Sequence, residues 1–477
     1  MKKKNLAIVL ALVSFAVSGC GKESKTVAEK KPVTINVWNY YSGSQQEAFQ
    51  ELVNEFNKGK GKELGIIVRV SSEGSAEELE ENVISAAKKE VGAKELPNIF
   101  SAYADTAYRA DQMGLVEDIS GYFTEEERAE YIDRYLTEGS FILKEGELKI
   151  FPVAKATEIF MLNQTDWDKF EAATGASLDA LKTIEGITET AEKYYQWTDS
   201  QTTEPDDGKA FFGRDAMANY MIIGVRQLGT DLISVDRDGN IVLDFPENVA
   251  RKLWDNYYVP YINGYFSAVG RFRSDDVKTG NVICFVGSSA SATFFPSEVI
   301  LSDEESYPIE TGVLNAPKFE GGEDFAVQQG AGMVVVKGEE EEVQASVEFL
   351  KWFTDISQNI YFSQASGYLP VKKEANDIEV IKKESDQDEA VTEVLEVSID
   401  TVNNNTMYTS PVFENASSVR NILEYSMPDK ASKDRSRIEE KMAAGMSRKE
   451  AVAEFDTDEN FHEWYENIKS QLEEAMG

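Results

Sequence analysis

The chain has 477 residues, with 48 basic against 85 acidic side chains and a formal net charge of −37. That charge repels nucleic acid and anionic lipid headgroups, so neither is expected as a partner. A single histidine, His462, set in an acidic helical pattern, leaves no Ser-His or Cys-His arrangement for triad chemistry.

In chain order, Lys2, Lys3 and Lys4 open a basic start, and Leu6 to Val17 is an apolar run interrupted by Ser14. A spanning helix needs roughly 20 apolar residues, so this run predicts a cleaved secretory signal over residues 1–20. Val17-Ser18-Gly19-Cys20 resembles the bacterial lipobox, which implies a diacylglycerol thioether on Cys20. Two acyl chains hold a protein durably where one binds marginally. Residues 21–32 are polar, rich in Lys and Glu and without an apolar period, and read as a tether. Roughly 445 residues follow, too many for one core, so two lobes are expected.

Val33, Ile35 and Val37 alternate with Thr34 and Asn36 as a strand, and Trp38 to Gly43 follows as a loop. Ser44 and Glu47 have capping-box spacing before a helix carrying Ala48, Phe49, Leu52, Val53 and Phe56 on one face. Ile66 to Val70 predicts a second strand, Leu79, Val83, Ile84 and Ala87 a second helix, and Asn98 to Ala102 a third strand before a short helix stopping at Gly114. Strands alternating with helices imply a largely parallel sheet covered on both faces. In such sheets ligands bind at the carboxyl ends of the strands. Those ends carry Trp38, Tyr40, Tyr41 and Ser42, then Ser71 and Ser72, then Tyr103 and Asp105. Flat apolar rings beside hydroxyls and a carboxylate suit a sugar, although any single member could equally be core packing or a helix cap.

Further on, Glu158 is placed either to accept bonds from ligand hydroxyls or to form a salt bridge across a hinge. Asn219 and Tyr220 could face the cleft from the second lobe, with a core role the stronger reading for Tyr220. Asp236 to Asn240 with Glu247 superficially matches a calcium loop, but Ile241 stands where such a loop needs Gly, so a hairpin turn at Asp238-Gly239 is expected and no metal. Cys284 sits in the apolar run Val282 to Val286 and reads as buried and structural. Residues 374–396 predict an acidic surface helix, and Trp197, Trp254, Trp352 and Trp464 predict packing.

From Val33 onward the order of motifs resembles the extracellular solute-binding proteins of family 1, the sugar-binding subunits of ABC importers. The matching stretches are Val33 to Trp38 with Glu55-Phe56-Asn57, Leu96-Pro97-Asn98-Ile99, Met113 to Ile119, and Phe151-Pro152-Val153 through Glu158 to Asn163. Gly312-Val313, Ala316-Pro317 and Glu320-Gly321-Gly322 follow, then Ala345 to Thr354 and Gly367-Tyr368-Leu369-Pro370. The resemblance implies an α/β, two-lobed periplasmic-binding-protein-like fold with a ligand cleft between the lobes and three interlobe crossings. The first lobe is then expected over 33–152 and 315–362, and the second over 153–314 and 363–477. It further implies ligand contacts at Ser288, Ser289, Gln329, Gly330 and Tyr368, closure of the lobes on the ligand, docking on an ABC permease, and no cofactor. A monomer is expected.

Three other readings remain. In the glycerol-phosphate-binding branch a glutamate falls where this chain has Ala104 next to Asp105, serines fall near Lys155 and Ala156, and an arginine falls near Phe413; these departures disfavour phosphate. A polyamine would want several carboxylates in the cleft, where the row supplies one or two. A secreted glycosidase needs only two suitably spaced carboxylates, which 85 acidic residues do not rule out.

Overall fold

The computed structural model describes residues 31–138, 146–236, 240–384 and 389–477. The signal, Cys20, most of the tether and the Asp238-Gly239 turn lie outside the described residues. In chain order β1 (Val33–Asn39), β2 (Ile66–Ser72) and β3 (Ile99–Ala102) come first. Then follow β4 (Glu158–Asn163), β5 (Phe212–Arg214), β6 (Ile233–Val235), β7 (Ile241–Leu243), β8 (Cys284–Ser288), β9 (Glu298–Ser302) and β10 (Glu305–Pro308). The last are β11 (Thr311–Asn315), β12 (Phe325–Val327), β13 (Gly332–Val335) and β14 (Thr406–Tyr408).

Two four-stranded sheets organise two α/β lobes, one ordered β13-β3-β1-β2 and the other β11-β4-β8-β5. In the first, β1 runs parallel to β2 and β3, as the alternation of strands and helices predicts, and β13 is antiparallel at the edge. The second sheet departs from the parallel expectation, because β4 runs antiparallel to both β8 and β11. The cause is directional: β4 and β13 begin at a crossing and run away from the cleft, whereas β1, β3, β5 and β8 end there. The first core gathers Ile35, Val37, Phe49, Phe56, Phe349 and Phe353; the second gathers Phe160, Trp167, Trp254, Tyr258 and Trp464.

The crossings lie side by side and are hydrogen-bonded to one another. Lys155 N donates to Leu369 O (3.0 Å), Ala156 N to Gln329 O (2.9 Å) and Gln329 N to Ala156 O (2.8 Å). Gly330 takes φ +91°, and a Cβ there would stand 2.9 Å from Ala154 O; Gly367, at φ +71°, would place one 2.5 Å from Ser289 O. Only glycine admits both the left-handed backbone and the close approach. Lys155, almost fully buried, ties the first two crossings by donating to Gly330 O (2.7 Å) and pairing with Glu138 (2.7 Å).

Residue 315, the expected point of return to the first lobe, is the last of β11 in the second sheet. Phe319 beyond it packs in the second core, and the chain rejoins the first sheet at Gly332. At the other boundary Tyr368 and Val371, past residue 362, still pack in the first core. The 312–317 stretch forms a sheet edge before the crossing, and sequence gives no mark separating the two.

Two smaller expectations also change. The helix Gly43–Lys58 takes Ser42 as its N-cap residue, so Ser44 and Glu47 fall inside the helix and form no box. Ser75 and Glu78 form one instead, ahead of the helix Ala76–Ala87. The acidic stretch 374–396 is two helices, Ile378–Glu384 and Glu389–Asn404. The second is no surface helix: Leu395, Ile399 and Val402 join Ile360 and Leu369 in a cluster, and Val394 packs under β4. Cys284 is buried in β8, its thiol donates to Phe211 O (3.3 Å), and burial pushes its pKa up. Strands β6 and β7 pair antiparallel on either side of the predicted turn.

Candidate functional site

The strand ends of both sheets converge on the space between the lobes. From the first lobe, the Tyr40 and Tyr103 rings stack with centroids 6.1 Å apart and planes 18° from parallel. The Tyr40 and Tyr368 hydroxyls stand 3.4 Å apart. All three hydroxyls have pKa values well above the ordinary tyrosine value: Tyr40 and Tyr368 chiefly through burial, Tyr103 chiefly through the charge Tyr40 would carry. They stay protonated, and a neutral phenol both donates and accepts, as a ligand hydroxyl requires. Tyr103 keeps 44% of its surface exposed, so its ring is a wall and not a core residue.

At the hinge end, Ser289 N donates to Thr157 O (2.8 Å), and the register places Glu158 opposite Ser288. Ser289 Oγ, Gln329 Oε1 and Asn39 Nδ2 are buried without a hydrogen-bond partner among the described residues. Buried polar atoms in folded proteins are nearly always paired, and Ser289 and Gln329 are backbone-bonded to the neighbouring crossing residues Thr157 and Ala156, so these two exceptions ask for a functional reason.

The second lobe supplies a chain of polar groups. Glu158 pairs with Arg214 and accepts from Asn219 Nδ2 (3.0 Å); Asn219 Oδ1 in turn accepts from Arg420 (2.9 Å). Arg420 lies close enough to Tyr103 to pull that hydroxyl's pKa downward. Ala216 holds a left-handed φ of +49° where the helix Met217–Gln227 begins, a strained conformation for a residue with a Cβ. Glu424 offsets it by accepting from Met217 N (3.1 Å) and Ala218 N (2.8 Å) at that helix end.

Beside them, burial lifts the Asp215 carboxyl to about 6, against the pull of Arg273. The native state therefore holds a proton that the unfolded chain has lost between the ordinary value of 3.8 and about 6. Stability from this group declines as pH rises through that window. Asp215→Asn should flatten the decline relative to the parent protein, read as denaturation midpoints across that pH range. An unchanged slope would assign it to other groups.

Not every expected site residue faces the cleft. Trp38 is buried among Leu79, Val83 and Phe100 with the Lys94 ammonium over its ring (5.6 Å), and Tyr41 is enclosed by Phe49, Phe362 and Tyr368. Both pack the lobe. Ser72 Oγ donates to Tyr41 O (2.8 Å), Ser42 precedes its helix exposed and its side chain makes no cap bond, and Ser288 Oγ accepts from Ala290 N (3.3 Å). Asp105 accepts from Thr106 N (2.8 Å) and, across the cleft, from Ser417 Oγ (2.7 Å). Glu158 makes the salt bridge, although Arg214 belongs to its own lobe and not to the other side of a hinge. Gly330 serves through its carbonyl on Lys155. Tyr220 is in the core, its hydroxyl donating to Leu253 O (2.9 Å). Sequence reasoning missed Asn39, Arg214 and Arg420; Arg420 sits on the long helix Ala416–Ala443, which has no local mark of a site.

Known proteins share this architecture. Among solved structures, glycerophosphocholine-bound UgpB from Mycobacterium tuberculosis superposes with a TM-score of 0.68 at 17% identity, covering 93% of this chain and 99% of that one. The cyclic alpha-maltosyl-1,6-maltose binding protein from Arthrobacter globiformis gives 0.65 at 16% identity, covering 93% and 99%. The Thermus thermophilus maltotriose binding protein, bound with maltotriose, gives 0.61 at 17%, covering 93% and 100%. No curated protein matches this chain. At such identities the superpositions establish the fold. The sequence profile of the bacterial extracellular solute-binding proteins matches residues 51–392, most of the chain, and the protein is therefore a member of that family.

Proposed function

We propose that this protein captures a small polyhydroxylated solute, a sugar or oligosaccharide, between its lobes and delivers it to the permease of an ABC importer, without catalysing a reaction. The observation that carries this reading is the pairing of a stacked Tyr40–Tyr103 wall with the unpartnered Ser289 and Gln329 atoms at the hinge end. Rings cover the apolar face of a sugar, and unpaired polar atoms bind its hydroxyls. The ligands named for the Arthrobacter and Thermus proteins, both oligosaccharides, support the same class. His462, on the terminal helix Asp458–Met476, lies exposed beside Glu247 (3.4 Å).

A thermal-shift screen over mono- and oligosaccharides, glycerol phosphates and polyamines tests the reading. A ligand at 100 times its Kd stabilises the folded state by about 2.7 kcal/mol. Sugars are expected to raise the melting temperature and to be recovered intact after incubation. A polyamine response without a sugar response, or sustained turnover of an oligosaccharide, would overturn it.

We further propose that the protein is a monomer held at the outer face of the cell membrane by lipid on Cys20. No helix among the described residues is long and apolar enough to cross a membrane. Cys20→Ser is expected to shift the protein from the membrane fraction to the medium with ligand affinity unchanged. Retention of the variant on the membrane would rule out that anchor.

A further inference from the structure

Resting on the sugar reading, we propose that Arg420 is a specificity-determining residue that binds an anionic substituent, a carboxylate or phosphate, on the solute. Its guanidinium stands between the lobes: one Nη bonds the neutral amide of Asn219, and the charge reaches Tyr103 on the opposite wall. The nearby carboxylates bond other partners, and none forms an ion pair with Arg420 among the described residues. Glu424, one helical turn on and the natural ion-pair partner on that face, caps the helix Met217–Gln227. Glu158, on the far side of Asn219, is neutralised by Arg214. Asp105 is taken by Thr106 and Ser417. Glu77 touches the balance only as a weaker influence on Tyr103.

Arg420 thus carries a full charge with no ion pair among the described residues, in a protein whose net charge is −37. Its remaining N–H donors keep the planar fork that matches an oxyanion in two parallel bonds. Asn219 acts as the positioning residue: it ties one Nη of the fork to the Glu158–Arg214 pair.

The test measures affinity by calorimetry for galacturonate, digalacturonate, glycerol 3-phosphate, maltose and maltotriose, with parent, Arg420→Gln and Arg420→Lys proteins. Arg420 is exposed, so the unliganded melting temperature is expected to be the same in all three. An acidic probe is expected to bind the parent more tightly than its neutral counterpart and to weaken as salt is added. Arg420→Gln should lose on the order of 30-fold for that probe, since removing one partner of a desolvated charge pair costs about 2 kcal/mol or more. Arg420→Lys should recover part of the loss, and the response of uronates or of glycerol phosphate distinguishes carboxylate from phosphate. Neutral sugars binding equally to parent and Arg420→Gln, with no preference for an acidic probe, would overturn the role of Arg420 and leave the sugar reading intact. No response to any probe would remove both.

Discussion

Tyr41→Ala is expected to destabilise the first lobe by about 3–5 kcal/mol, the range for removing a buried aromatic ring, and Tyr103→Ala to leave the unliganded stability nearly unchanged. The two tyrosines follow neighbouring strands of one sheet, yet their surroundings differ. The Tyr41 ring keeps 2% of its surface exposed and lies 5.2–6.0 Å from the rings of Phe362, Phe49 and Tyr368. Its loss leaves a cavity that those rings close only in part. Tyr103, nearly half exposed, touches Tyr40 on one face and the cleft on the other. Its truncation should instead weaken sugar binding by roughly tenfold, the worth of a stacked ring at about 1–2 kcal/mol. Urea denaturation and calorimetry on the same two variants separate the effects. A stable Tyr41→Ala protein that no longer binds would make Tyr41 a wall residue and reverse its assignment.

The second large effect lies at the hinge. Glu138→Ala should cost about 3–5 kcal/mol, because it strands a buried ammonium. The Lys155 side chain is 3% exposed, its one carboxylate partner among the described residues is Glu138, and Gly330 O accepts one further bond. Glu138 also accepts from Gln328, so the loss spreads to the second crossing. Replacing both partners, Glu138→Ala with Lys155→Met, should recover much of the stability, since an apolar pair leaves no charge to solvate. A thermal-melt double-mutant cycle reads the coupling directly. Additive losses would mean that Lys155 finds other partners and that the crossings do not depend on this pair.

These contrasts bear on what each level of description can decide. Local pattern determined the secondary structure of the first lobe closely: the alternation from Val33, the apolar face of the helix Gly43–Lys58, and the stop at Gly114, whose φ of +75° needs glycine. It also determined the burial of Cys284, because an apolar run of strand length has no solvent face. Those signals repeat within a few residues and need no knowledge of distant chain.

Which of the strand-end side chains turn inward was beyond such signals. In β1 the inside–outside alternation holds through Ile35, Asn36 and Val37, but at the strand's end Trp38 and Asn39 are both buried, where elements pack on both faces of the sheet. Trp38 and Tyr40 therefore look alike in sequence although one packs and one faces the cleft. Lobe boundaries suffered similarly: β11 and the crossing after it are one polar, glycine-bearing stretch, and only pairing with β4 assigns Thr311–Asn315 to the second sheet. The second wall of the cleft was decided entirely by tertiary structure. Glu158, Asn219 and Arg420 come together within the second lobe from distant parts of the chain, Tyr103 faces them only because the crossings bring the two lobes together, and no local periodicity carries information about either approach.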